Sequence, residues 1–207
     1  MKKITLLLGL ILSFNVTAQT QYEKGMDKAF SLWKSQKNTA AVQLFERIAG
    51  AEKENWLPSY YAATILIIDG FSIRDESALK AHLNKAQALL DQASAISERN
   101  PEILITQAML HTVYVAFDGQ KYGMTLSPKN SQLYSKALAI APNNPRVVLA
   151  KAQWDMGAAK FFGQSTAPFC KEIKRSMTLF QKEEKKAMYH PFGGIERAQE
   201  AMKECGK

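Results

Sequence analysis

The chain has 207 residues, 46% of them hydrophobic and 22% charged, which suits a single domain with a sizeable buried core. Its formal net charge is +8, but basic and acidic residues are mixed along the chain, even in the densest charged group at 182–186. Scattered charge of this kind favours a solvated surface, so we expect no nucleic-acid partner.

The first 18 residues have the pattern of a secretory signal peptide. Lys2 and Lys3 form a positive head, an apolar run covers 4–16, and small residues precede a predicted cleavage after Ala18. The apolar run is shorter than the roughly 20 residues that a membrane-spanning helix needs, and no later run is apolar enough. We therefore predict a periplasmic or secreted protein that is not membrane-spanning, with one domain over 19–207.

Helical periodicity dominates that domain and predicts about nine helices. Between residues 79 and 96, for example, apolar side chains recur every three or four positions. Pro58, Pro101, Pro145 and Pro191 follow one another at intervals of 43 to 46 residues, and each interval holds two helical segments. This spacing predicts an all-α solenoid of about four and a half antiparallel helix pairs. The predicted helices are 21–36, 39–53, 57–69, 77–98, 101–117, 128–141, 145–160, 168–185 and 193–204.

The stretch 134–145 resembles the end of a tetratricopeptide repeat. Tyr134 and Ala137 match the aromatic and small residues that face a partner helix in such repeats, and Pro142-Asn143-Asn144 matches the turn into the next repeat. The resemblance implies a tetratricopeptide-like superhelix, although these units are longer than the usual repeat of about 34 residues.

A second likeness concerns the third unit. Asn144-Pro145-Arg146, followed by Phe162-Gly163 and a basic helix, is similar to exported helical-repeat proteins of the Bacteroidota. That likeness implies a periplasmic or secreted binding protein without a defined chemistry.

The first helix of each unit should line the concave side of such a superhelix. Aligning the helices by their small residues predicts a mostly apolar groove that suits an extended or helical protein segment. Two alternatives stay open: some positions belong to the core, or the terminal helix 193–204 fills the groove. The predicted groove residues are Met26, Phe30, Trp33, Leu66, Ile105, Met109, Thr112, Arg146, Leu149, Gln153 and Met156.

The extra length of each unit falls in the turn between its two helices, and these turns should emerge on one edge. The predicted binding edge consists of Phe71, Arg74, Lys121 and Tyr122. Phe161 and Phe162 occupy the third turn, and we expect them to pack back over the helix ends.

Cys170 and Cys205 are the two cysteines of the chain. An even number in an oxidising compartment is compatible with a disulfide, which would contribute about 3–4 kcal/mol. The alternative is two unpaired thiols, one packed among apolar neighbours and one near the C-terminus.

Catalytic and metal-binding patterns are missing from the sequence. His82, His111 and His190 lack metal-ligand spacing, and we expect them on a solvated helix face, inside a helix packing surface and in a turn, respectively. The methionines are dispersed, as is typical of packing residues. We predict a non-catalytic scaffold that needs no cofactor or metal and binds a protein or peptide segment, with a role in envelope assembly or transport by family analogy. The alternative is a small-molecule ligand carrier whose pocket is capped by the inserted turns.

Overall fold

The computed structural model describes residues 21–185 and 187–206, so the predicted signal peptide lies outside the described residues. This part of the chain is all-α, which confirms the predicted fold class and the number of helices, and it contains no strand. The helices are α1 at 21–34, α2 at Asn38–Ala51, α3 at Leu57–Gly70, α4 at Glu76–Ile96, α5 at Pro101–Phe117, α6 at Gly119–Ile140, α7 at Pro145–Phe161, α8 at Ala167–Gln181 and α9 at Ile195–Met202, with a 3₁₀ turn at Lys203–Gly206.

The helices pack as consecutive pairs. The most extensive contacts join α3 to α4, α5 to α6 and α7 to α8, while α5 also touches both α3 and α7. The first helices of successive pairs therefore stack side by side, as expected for a helical repeat. Every helix within the described ranges is too short or too polar to cross a bilayer.

Side-chain caps set the start of the central pairs. The Asn100 side chain accepts a hydrogen bond from the backbone N–H of Glu102, and the Asn144 side chain accepts one from Arg146 N–H. Pro101 follows Asn100 at the first helical position, where its missing N–H costs nothing. These caps place Glu102 and Arg146 at the amino ends of adjacent helices.

Helix α6 begins nine residues earlier than predicted, at Gly119 instead of 128. The Asp118 carboxylate caps it by accepting from Lys121 N–H at 3.0 Å, so the predicted turn shrinks to Asp118. Pro128 lies inside the helix, at a position where a proline usually interrupts helical hydrogen bonding. Extensive packing of α6 along α5 outweighs that penalty.

Pro191 does not open a helix, because α9 begins only at Ile195. The predicted ninth helix is therefore shorter than 193–204, and the residues before it form an irregular segment that runs back across the molecule. Two apolar clusters form the interior: a large one shared by α1 to α5, and a smaller one shared by α7, α8 and α9.

Candidate ligand-binding site

Aromatic side chains from α1 and α3 meet on one face of the large cluster. The Phe30 ring lies edge-on to the Tyr61 ring at 4.7 Å and stacks with the Trp33 ring at 6.3 Å. Phe45 from α2 supports them from the fully buried side. Interlocked rings of this kind bury large apolar areas in defined geometries, so this face is rigid.

The segment between α8 and α9 crosses to these rings, and we call residues 183–185 and 187–193 the strap. The Tyr189 ring stacks on Phe30 at 5.8 Å and lies edge-on to Tyr22 at 5.7 Å. Its hydroxyl donates to the Asp27 carboxylate at 2.8 Å, and its carbonyl accepts from the Tyr61 hydroxyl at 2.6 Å. A residue near the C-terminus thus completes the aromatic face of the first two pairs.

Tyr189 adopts a backbone conformation that is unfavourable for an aromatic residue. Its φ of +61° lies in the left-handed region, which costs on the order of 1 kcal/mol for a residue with a Cβ. Desolvation, together with the neighbouring Asp27 carboxylate, raises the pKa of Tyr189, which keeps its hydroxyl a donor near neutral pH. The ring contacts and hydrogen bonds hold the residue against this strain.

An ionic cluster ties the base of the strap to the amino ends of α5 and α7. The Arg146 guanidinium binds the Glu102 carboxylate at 2.9 Å and the Glu183 carboxylate at 2.7 Å. The Gly193 N–H donates to the other Glu183 oxygen at 2.9 Å, which brings the two ends of the strap together as in an Ω-loop. Burial lowers the pKa of Arg146, but the two carboxylates outweigh that effect and raise it.

A cleft of about 520 Å³ lies between the strap, α1 and the turn that precedes α3. The Trp56 and His190 rings meet edge-to-face at 5.7 Å on its wall, and Met188, which is 56% exposed, lies beside them. Glu23, Glu52, Glu54, Asn55, Leu57 and Ala187 complete the lining.

Tyr22 lines this cleft, and its hydroxyl differs from the other polar groups there in its hydrogen bonding. It is buried, and among the described residues it has no hydrogen-bond partner of good geometry. Burial raises the pKa of Tyr22, while the nearby Asn55 side chain acts in the opposite direction. A buried donor without a partner is costly unless a ligand or water satisfies it.

The cleft offers an imidazole, a thioether and a phenol, but it does not form a preformed metal site. Across the described residues, His, Cys, Asp and Glu side chains do not gather in groups that could hold a metal ion. The lining combines aromatic and apolar side chains with three glutamates. This arrangement can accept the flat face of an apolar molecule.

Four predicted groove residues belong to the core instead. Met26 and Leu66 lie in the large cluster, Leu149 and Met156 in the small one, and none is more than 7% exposed. The first helix of a pair contacts the neighbouring pairs on two sides, as α5 contacts α3 and α7. An apolar residue that recurs at helical spacing can therefore point into the core instead of facing a groove. The groove surface left exposed along these helices is therefore smaller than predicted.

The remaining groove predictions are partly exposed. Phe30 and Trp33 lie in the aromatic face beside the strap, and Arg146 holds the strap's base. Ile105, Met109, Thr112 and Gln153 are half-buried on α5 and α7. The strap, and not the terminal helix, covers the aromatic face formed by α1 and α3.

The predicted binding edge separates into two parts. Phe71 and Arg74 are exposed, whereas Lys121 and Tyr122 both bind Glu76 at 2.6 Å. These hydrogen bonds lower the pKa of Glu76 to about 2 and tie the start of α6 to α4. A pocket capped by the inserted turns was also predicted, but the cleft is bounded by the strap and the turn before α3.

Phe161 and Phe162 contradict the expectation that they pack back over the helix ends. They are 81% and 70% exposed and touch each other edge-to-face at 5.1 Å. Gly163, with φ +64°, ends α7 directly after them and turns the chain away before it can cover either ring.

The histidines and cysteines are placed as follows. His82 is half-buried and lies 2.8 Å from the Leu66 carbonyl, so the prediction of a solvated position is wrong. His111 packs inside its pair, and His190 lies in the strap. Cys170 and Cys205 form a disulfide with a Cα separation of 5.7 Å, which links α8 to the 3₁₀ turn.

Sequence reasoning missed the residues that build the cleft, chiefly Tyr22, Trp56, Met188 and Tyr189. Their contacts join positions more than 100 residues apart, which no helical period reveals. One local signal existed: the run His190-Pro191-Phe192-Gly193-Gly194 combines aromatic and turn residues in a stretch without helical periodicity.

No protein-family model matches this sequence, and no curated protein matches it significantly. Fold and site together define an all-α protein of stacked helix pairs with a partly aromatic cleft that is bounded on one side by a strap. A solved structure with a similar fold is the HusA haemophore from Porphyromonas gingivalis, at 23% sequence identity and a TM-score of 0.75. The match covers 89% of this chain and 92% of that one. At this identity the likeness shows a shared fold over nearly the whole chain.

Proposed function

We propose that this protein is a non-catalytic, exported carrier of a small, flat, largely apolar ligand, with an iron porphyrin as the first candidate. The cleft between Trp56, His190 and Tyr22 is the observation that carries this proposal. The similar fold of a protein described as a haemophore supports the choice of ligand class.

The chemistry of the cleft fits a porphyrin. Its volume of about 520 Å³ lies within the 300–1,000 Å³ that small-molecule sites usually have. The Trp56 indole can stack on a macrocycle, and histidine, methionine and tyrosine are all side chains that ligate haem iron in other proteins. Glu52 and Glu54 would repel the propionates, so the ring would enter with its propionates towards solvent.

A carrier fits these observations better than a scaffold for protein segments. An open groove along the first helices would need Leu66 and Leu149 at its surface, but both are buried. The strap further covers the aromatic face formed by α1 and α3. What is left is a short cleft of small-molecule size.

Export is part of the proposal. The charged head, apolar run and small residues of 1–18 support a signal peptide. The disulfide between Cys170 and Cys205 supports an oxidising compartment, because such bonds are rare in the cytosol.

Titration of the purified protein with haemin and with metal-free protoporphyrin IX tests the function. We expect saturable binding of one porphyrin per chain, followed by the porphyrin absorption band and by tryptophan quenching. Trp56→Ala should weaken binding about tenfold, or about 1.4 kcal/mol, because stacking on the cleft wall is lost. Trp154→Ala is the matched control, since Trp154 is equally half-buried but packs against Tyr134 on α6.

Two results would contradict the proposal. One is the absence of saturable binding of either porphyrin at micromolar protein concentration. The other is an equal effect of Trp56→Ala and Trp154→Ala, which would indicate non-specific adsorption to exposed aromatic surface.

A further inference from the structure

The Tyr189 ring occupies an aromatic cage, and two of the three cage rings pack against other rings independently of it. Tyr22, Phe30 and Tyr61 form this cage, and they stand on α1 and α3, whose packing belongs to the large apolar cluster. Each cage ring keeps other ring contacts when Tyr189 is disregarded, except Tyr22, whose ring contact is with Tyr189 itself. The Phe30 and Tyr61 walls of this slot for a flat aromatic group are therefore preformed, whereas the Tyr22 wall has its ring contact with Tyr189.

The strap carries backbone strain that the three cage residues lack. Tyr189 sits in the strained left-handed region, and Gly193 and Gly194, with φ of +77° and +108°, follow at the strap's end. Glycines adopt such angles without a steric penalty, so the strap can pivot there at little cost. Strain of this kind at an aromatic residue is typical of positions that change conformation in function.

The cage and the cleft have one wall in common, and the strap runs along both. Tyr22 contacts Tyr189 and also lines the cleft. Met188 and His190, the two neighbours of Tyr189, line the cleft, so the strap contributes residues to both sites. Any movement that withdraws Tyr189 from the cage also moves Met188 and His190 and joins the two spaces.

From this arrangement we infer that Tyr189 is a built-in competitor, and that the ligand's aromatic ring replaces it in the cage when the strap moves aside. The inference rests on the proposed carrier function and names the deeper part of its binding site. The buried Tyr22 hydroxyl, which lacks a partner among the described residues, gains one from the polar edge of the entering ligand. The apparent affinity is then the intrinsic affinity multiplied by the fraction of molecules in which Tyr189 has left the cage.

Substitution of Tyr189 separates a competitor from a purely structural clamp. Tyr189→Ala empties the cage, and we expect it to bind metal-free protoporphyrin IX at least threefold more tightly than the wild type. Tyr189→Phe keeps the ring but loses the hydrogen bond to Asp27, so its affinity should lie between the two. Circular dichroism of each variant establishes that the helices remain folded.

Amide hydrogen exchange of 187–193 gives a readout that needs no substitution. In the wild type, saturation with metal-free protoporphyrin IX should speed exchange in the strap while slowing it in α1 and α3. If Tyr189→Ala fails to fold, this measurement and Tyr189→Phe decide the question.

The possible results distinguish failure of the competitor role of Tyr189 from failure of the carrier function. Unchanged or weaker binding by folded Tyr189→Ala, or a strap whose exchange slows with ligand, overturns the competitor role and leaves the carrier intact. Tighter porphyrin binding by folded Tyr189→Ala than by the wild type, together with faster exchange of the wild-type strap on ligand binding, supports the competitor role. Binding by no variant overturns both proposals.

Discussion

Helices α1 to α5 and helices α7 to α9 are stabilised in different ways. The first group buries a continuous apolar cluster in which rings from α1, α2 and α3 interlock. The second group shares a smaller cluster and adds a disulfide between Cys170 and Cys205, as well as the Arg146 ion pairs. Hydrophobic burial dominates one end, and cross-links supplement it at the other.

The strap starts from the cross-linked end and reaches the apolar end. Its base is fixed by Glu183 and Gly193, while its tip, at Tyr189, lies on rings that already hold one another. A rigid receiving surface and a separately anchored strap suit a site that opens without unfolding. The difference between the two ends is thus what makes a removable cover possible.

Deleting one ring from each end should give the largest contrast. Phe45→Ala removes a fully buried ring from the first cluster and should lower the free energy of unfolding by about 3–5 kcal/mol. Phe161→Ala removes a ring that is 81% exposed and should change stability by less than about 0.5 kcal/mol. Urea unfolding followed by circular dichroism measures both; similar losses would show that the exposed ring is packed in solution.

Most of the fold could be predicted because its signals are local. Asn100-Pro101 and Asn144-Pro145 combine a cap with a first-turn proline, and both predicted helix starts are found at those residues. Helix α6 was placed too late because Gly119 and Gly123 are residues typical of a turn. Packing against α5 stabilises the helical conformation of residues 119–127, and a local sequence pattern does not reveal this packing energy.

The candidate site could not be predicted to the same extent. Arg146 and Phe30 were assigned to the concave side and do lie near the strap, but their partners Glu183 and Tyr189 were not foreseen. The Tyr189 hydroxyl lies 3.0 Å from the Glu23 carbonyl, a contact that spans 166 residues of sequence. Such contacts depend on how all the helix pairs stack on one another, which repeat spacing leaves undetermined.

The disulfide should matter mainly for the C-terminal end. Cys170 and Cys205 are separated by 35 residues, and loss of the constraint on the unfolded chain should cost about 3–4 kcal/mol. We expect the double variant Cys170→Ser/Cys205→Ser to lose protection against hydrogen exchange in α8 and α9 first, with α1 to α5 unaffected. Uniform loss across all helices would instead show that both ends unfold as one unit.

Arg146 links the two ends, so its removal should act on both. Arg146→Ala leaves the Glu102 and Glu183 carboxylates without their shared cation, which should cost about 2–3 kcal/mol because the cluster is largely buried. It should also free the base of the strap and speed hydrogen exchange at 187–193. Arg74→Ala, at an exposed position, is the control and should change neither quantity.

The smallest expected effect concerns His111, which joins α5 to α6 between the two ends. Its ring nitrogen lies 2.9 Å from the Asn130 side-chain oxygen. Burial lowers the pKa of His111, with a further contribution from Lys129, and outweighs the opposite effect of Asn130. The fold therefore favours the neutral imidazole more than the unfolded chain does.

The lowered pKa of His111 determines how the free energy of unfolding changes with pH. Because the unfolded chain binds the proton more tightly, the stability that His111 contributes is complete above its unfolded pKa of about 6.5. It declines as the pH falls below that value and is lost once the pH has passed the folded pKa. Urea unfolding at pH 7.5 and pH 5.5 should therefore show a larger loss for the wild type than for His111→Gln. An equal loss in both proteins would assign the pH dependence to other groups and would leave the α5–α6 junction insensitive to protonation.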